Sequence, residues 1–173
     1  MKQLSIYRIL TYLLVPFAAF FGLIDLLIIL SALANPALLL AGFIFTAFVI
    51  YTFVSLKFLN RGLQYNQPCK PQLRDWIKVN AYVSTFMAIM FLLNSLSVYF
   101  SSEVMLRQMM EEYLEKQPSI SAQISPEFML KMLKFMAACM LILGAVLIVH
   151  IQITFRLLKQ YAFLFEPQPP AES

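Results

Sequence analysis

The sequence predicts an all-α, polytopic integral membrane protein. It should have four transmembrane helices in an up-down bundle and an amphipathic helix outside the membrane between the third and the fourth. Three observations predict this. First, 61% of the 173 residues are hydrophobic and 13% are charged; soluble domains run at about 45–50% and roughly a quarter. Second, the apolar residues gather into four runs, each long enough to supply the ~20 residues that cross a bilayer. Third, the cations crowd into short segments beside those runs. The densest is KFLNRGLQYNQPCKPQLRDWIK, Lys57 to Lys78, with five cations and one acid, Asp75.

The elements follow in order. After a basic start with Lys2 and Arg8, the first run spans 9–34. Ala32-Leu33-Ala34 resembles a signal-peptidase site, but the run far exceeds the ~7–15 residues of a signal core and Asp25 interrupts it, so it reads as a helix. Pro16 falls inside it and should kink it or end its first turn. Asn35-Pro36 is an uncharged turn, so the second run, 37–58, must return as an antiparallel hairpin. Pro68, Gly62 and Pro71 mark the basic segment as a loop. Tyr65, Trp76 and Tyr82 flank the point of re-entry, where amphipathic rings favour the headgroup level.

The third run covers 77–100. Ser101-Ser102 should then break the helix, with Ser102 capping a separate amphipathic one over 102–116 that lies along the membrane surface; the alternative is that the third helix continues straight into the exterior. Glu103/Arg107, Arg107/Glu111 and Glu112/Lys116 are spaced for i,i+4 pairing. Ser125-Pro126-Glu127 has a capping serine, proline at the first helical position and an acid in the first turn. The last helix should therefore run over 126–160, with Lys131 and Lys134 snorkelling from its outer turns. Residues 166–173 are polar and proline-rich, and disorder is expected there.

Lysine and arginine favour the cytoplasmic side of short loops. With both termini inside, that side holds Lys2, Arg8, Lys57, Arg61, Lys70, Arg74, Lys78, Arg156 and Lys159, and the outer side holds Arg107, Lys116, Lys131 and Lys134. The net charge of +4 thus reads as topology, with anionic lipid headgroups as neighbours. A nucleic-acid partner would need a basic face on a soluble fold, and none is visible. Cys69 and Cys139 fall in different environments, so no disulfide between them is expected.

Several residues carry candidate chemistry. An acid inside a membrane span should face other helices and have a partner, and depth counting at 1.5 Å per residue brings Thr46 and Asn94 to the level of Asp25. A polar cluster of Asp25, Thr46 and Asn94 follows, with Lys134 able to reach toward it. Asp25 and His150 are also the candidate ion or proton site residues. His150, the lone histidine, lies deeper along the last helix and reads chiefly as an interhelical hydrogen-bonding residue. Met129, Met132, Met136 and Met140 share one helix face and Cys139 adjoins it; thioethers and thiolate are what Cu(I) prefers. The MxxxM spacing here resembles the methionine motif of the high-affinity copper transporter family. That family has three spanning helices and a transmembrane GxxxG, which this chain lacks. The alternative for the stripe is flexible packing.

Absences matter as well. One histidine rules out HExxH zinc hydrolysis, and there is no GxSxG and no glycine-rich phosphate loop. No enzymatic activity and no cofactor are expected. The expected role is a structural or regulatory component of a membrane assembly, as a homo-oligomer or with another membrane protein. The alternative is a transporter or channel subunit using Asp25. The expected location is the cell membrane, multi-pass, with both termini cytoplasmic.

Overall fold

The computed structural model describes residues 2–116 and 125–166. Every element among them is helical: α1 (Lys2–Ala32), α2 (Leu39–Lys57), α3 (Pro71–Phe100), α4 (Glu103–Glu115) and α5 (Pro126–Gln160). Four stretches, Gln3–Ala32, Pro36–Gln64, Pro71–Phe100 and Pro126–Gln160, are long and apolar enough to cross a membrane. At 1.5 Å per residue even the shortest exceeds the ~30 Å hydrocarbon layer. The described residues form two compact units. One contains residues up to Met87 and those from Val146 onward; the other is Ala88–Ala145.

In the first unit α1 and α2 make the expected antiparallel hairpin. Asn35 caps a short 3-10 turn, Pro36–Leu38, by accepting a hydrogen bond from the Ala37 amide at 3.2 Å. Phe21 stacks on Phe45, with centroids 5.3 Å apart, and meets Phe48 edge-on. α1 runs unbroken through Pro16, so the proline removes one backbone donor without ending the helix.

The basic segment is more ordered than a loop reading suggests. α2 continues as a π-helix, Phe58–Gln64, closed by an i→i−5 bond from the Tyr65 amide to the Asn60 carbonyl. Asn66 then takes a left-handed conformation, φ 49°, which asparagine tolerates. The Gln67 amide reaches back to the Arg61 carbonyl at 3.0 Å, an i→i−6 bond that closes the helix end. Pro71, read from sequence as a breaker, instead opens α3; proline is at home in a first helical turn, whose amide has no partner anyway. α3 thus begins six residues before the expected 77. A final 3-10 turn, Ala162–Phe165, fastens the segment: the Leu164 carbonyl accepts from the Cys69 amide at 2.7 Å, and Phe165 stacks on Phe58. The expected tail at 166–173 lies outside the described residues except for Glu166.

In the second unit the serine pair does break the helix. Ser102 is extended, and its hydroxyl accepts from the Met105 amide at 3.3 Å, so α4 is a separate helix. Leu106 and Leu114 form its buried stripe, while Met105, Met109 and Tyr113 stay exposed. Arg107 bonds Glu103 as spaced, but its other contact is Glu127 at the start of α5 rather than Glu111. Lys134 is paired with Glu103. These pairs are exposed and stabilise by at most about 1 kcal/mol each. Ser125 caps α5 as its sequence predicts, accepting from the Phe128 amide. Of the small residues on α5, Ala137 is buried and Ala145 is exposed. The close approach falls at Gly144, where a Cβ would sit 3.0 Å from the Ala88 carbonyl oxygen.

Candidate functional site

Two polar sites lie within the long helices of the first unit. The more elaborate is centred on His150, which is wholly buried. Its position on α5 brings it against α1 and α2. Nε2 is 2.9 Å from the Thr11 hydroxyl, and Nδ1 is 2.7 Å from the Tyr51 hydroxyl. Tyr51 is also 2.9 Å from the Thr154 hydroxyl, which donates to the His150 carbonyl one turn back. Tyr7 stacks on the imidazole, with centroids 4.8 Å apart and planes 11° from parallel, while Tyr51 meets it edge-on. The Tyr7 hydroxyl donates to the Ser55 carbonyl at 3.3 Å.

Thr11 donates to the Tyr7 carbonyl at 2.7 Å. Three hydroxyls and one ring N–H serve five contacts, so in either tautomer one threonine divides its proton between two acceptors: Thr154 between Tyr51 and the His150 carbonyl when Nε2 is protonated, Thr11 between the Tyr7 carbonyl and Nε2 when Nδ1 is. Among the described residues no carboxylate reaches the cluster. An imidazolium there would be a buried charge without a counter-ion, so the ring bridges three helices as a neutral donor and acceptor. Ser55 Oγ, at the edge, is buried and has no hydrogen-bond partner among the described residues.

Asp25 sits on α1 in the same unit and is 6% exposed. Thr46 of α2 donates to its Oδ2 at 2.5 Å. The other oxygen, Oδ1, has no hydrogen-bond partner among the described residues. It faces Gly42, where an added Cβ would lie 3.6 Å away, an ordinary contact distance. The structure thus brings Asp25 and Thr46 together. Asn94 is an exposed residue of the second unit and donates instead to the Met90 carbonyl of its own helix at 2.9 Å. Lys134 likewise has Glu103 as its partner.

The methionine stripe lies on α5 in the second unit. Met132 and Met136 are exposed, and Met129, Met140 and Cys139 are half-buried. Among the described residues no group of three or more histidine, cysteine or acidic side chains could hold a metal. Both cysteines are free.

Sequence reading found His150 and Asp25 but missed Tyr7, Thr11, Tyr51 and Thr154. A signal existed. Tyr7/Thr11 and His150/Thr154 are i,i+4 pairs on their helices, and both, with Tyr51, lie toward the ends bearing Arg8, Lys57 and Arg156. The same depth count that linked Asp25 with Thr46 would have collected them.

No protein-family model matches the chain, and no curated protein or solved structure is significantly similar to it.

Proposed function

We propose that the chain is a multi-pass integral membrane protein with both termini cytoplasmic, acting as a small structural or regulatory subunit of a membrane assembly. The observation that carries this reading is the engagement of His150. The most versatile acid–base group in the spans has both ring nitrogens bonded to hydroxyls and no exposed surface. A catalytic or conducting group needs a face open to substrate or water; a fastener between helices does not. Lipid as the surrounding solvent is supported by the outward apolar faces. Only 17% of the most apolar window of α1 is buried, and Ile9, Leu23, Leu27 and Leu30 are each more than half exposed. Water would make such a surface an aggregation site.

Cross-linking in native membranes tests the subunit role. The account expects the chain to shift quantitatively into one species of fixed stoichiometry, as a homo-oligomer or with one partner. A chain that stays monomeric at every cross-linker dose contradicts it.

The unpartnered Asp25 oxygen favours one second reading, a cation- or proton-linked transporter or channel subunit. Buried carboxylates inside a span mark such pathways. Proteoliposomes with wild type or Asp25→Asn decide it: the reading requires a flux that the variant loses, and equal flux in both removes it.

A further inference from the structure

A cavity of about 360 Å³ opens beside the end of α2 and the start of α3, within the size range of ligand pockets. Three cations line it, Lys57, Arg61 and Lys70, with Cys69, Leu73 and Trp76. No carboxylate lines it, and among the described residues none lies within ion-pair distance of those cations. The one nearby acid in the sequence, Asp75, is held by Arg74 at 3.6 Å. A largely apolar groove of about 360 Å³ shares Trp76 with the cavity; Phe43, Ile50 and Val79 line it along α2 and α3, with Asp75 and Asn80 at its polar edge.

The local fold builds this arrangement. The π-helix inserts an extra residue into the last turn of α2, and such insertions gather at functional sites. Gly62 lets the Cys69 sulfur close in, since a Cβ there would stand 3.3 Å from it. The bond from Cys69 to Leu164 and the opening proline of α3 then hold Lys70 against the cavity. Cations massed without counter-ions around a concavity attract an anion, and an apolar groove that shares Trp76 with it suits a hydrocarbon chain.

We propose that this pair of features is a binding site for an anionic phospholipid, with the headgroup phosphate among Lys57, Arg61 and Lys70 and an acyl chain along the groove past Trp76. The site presumes the membrane location argued above. An annular neutral lipid would fill the groove but leave the three cations without a partner.

Trp76 is the only tryptophan in the chain, so its fluorescence reports on this site alone. The full-length protein in neutral detergent is titrated with phosphatidylglycerol brominated on its acyl chains, and in parallel with brominated phosphatidylcholine. The site predicts half-maximal quenching by the anionic lipid at about a tenfold lower mole fraction. The Lys57→Gln/Arg61→Gln/Lys70→Gln variant should lose that preference. A Lys78→Gln/Arg156→Gln/Lys159→Gln variant, with equal loss of charge away from the cavity, should keep it. Helicity and elution volume verify that both are folded; if the first is not, the single variant Arg61→Gln takes its place and should show an intermediate preference. Equal quenching by both lipids overturns the proposal while leaving the membrane reading intact. A preference lost equally in the control variant reduces it to general surface charge and overturns it too. Displacement of the brominated lipid by millimolar glycerol phosphate would assign the site to a soluble phosphate compound and equally overturn it. A chain that remains soluble and monomeric without detergent would instead remove the membrane reading beneath it.

Discussion

His150 and Asp25 lie within the long helices of one unit, and their surroundings are opposite in kind. Around His150 two other helices supply hydroxyls to both ring nitrogens and aromatic rings to its face and edge. Around Asp25 one threonine serves one oxygen, and the other meets a glycine. Nominal cost does not separate them, since both place a polar group where few partners exist. They differ in how far the neighbouring residues answer that cost. An answered polar group joins helices, whereas a half-answered one is either a tolerated liability or the place where an ion or partner group enters.

The comparison breaks most visibly at its strong end. His150→Ala removes two hydrogen bonds and a stacked ring, leaves the Thr11 and Tyr51 hydroxyls one partner fewer each and opens a void. The expected loss is about 3 kcal/mol, read as a lower thermal midpoint in detergent. An unchanged midpoint would mean that the network joins nothing. Gly144→Val supplies a yardstick from the second unit that involves no polar group. Its Cβ would press the Ala88 carbonyl, and the cost should be about 1–3 kcal/mol. Asp25→Asn should differ sharply from His150→Ala: the amide oxygen can still accept from Thr46, and a carboxylate with one unserved oxygen is gone. Stability should stay within about 1 kcal/mol of wild type or rise. A drop as large as that of His150→Ala would show that Asp25 has a partner of its own.

The smallest effect concerns Cys69, outside the spans. Burial pushes its thiol above the usual range, outweighing the nearby Arg61 and Lys57, which pull it down. A raised value keeps the neutral thiol, so any stability linked to this group is present below the ordinary thiol value near 8.5 and is lost as pH climbs past it. In a Cys139→Ser background, iodoacetamide should label Cys69 more slowly than a free thiol at pH 7.5. The rate should still be rising at pH 9. A rate matching the free thiol at pH 7.5 would contradict this account of the cavity.

These contrasts also show what the sequence could reveal. Helix ends set by local chemistry were legible: the Ser102 and Ser125 caps and the Asn35-Pro36 turn each involve neighbours in the chain. So was the Asp25–Thr46 pair, because two helices joined by a tight turn fix each other's depth. The basic segment was misread as irregular because its order comes from afar. Leu164, nearly a hundred positions away, supplies the carbonyl that holds the Cys69 amide. The partners of His150 were hidden for the same reason. Tyr7, Thr11 and Tyr51 meet it across 99 to 143 positions (from 150 − 51 to 150 − 7), and hydroxyl residues in an apolar helix look alike until rotation about the axis is known.

The proposed membrane location with a cytoplasmic basic segment underlies both the proposed fastener and the proposed lipid site, and one labelling experiment tests it most directly. Gln67→Cys, at an exposed position, is placed in a background with Cys69→Ser and Cys139→Ser and treated in intact cells with a membrane-impermeant maleimide. The account predicts a membrane-bound chain that is labelled only after permeabilisation. Labelling from outside, or recovery of the chain in the soluble fraction, would contradict it.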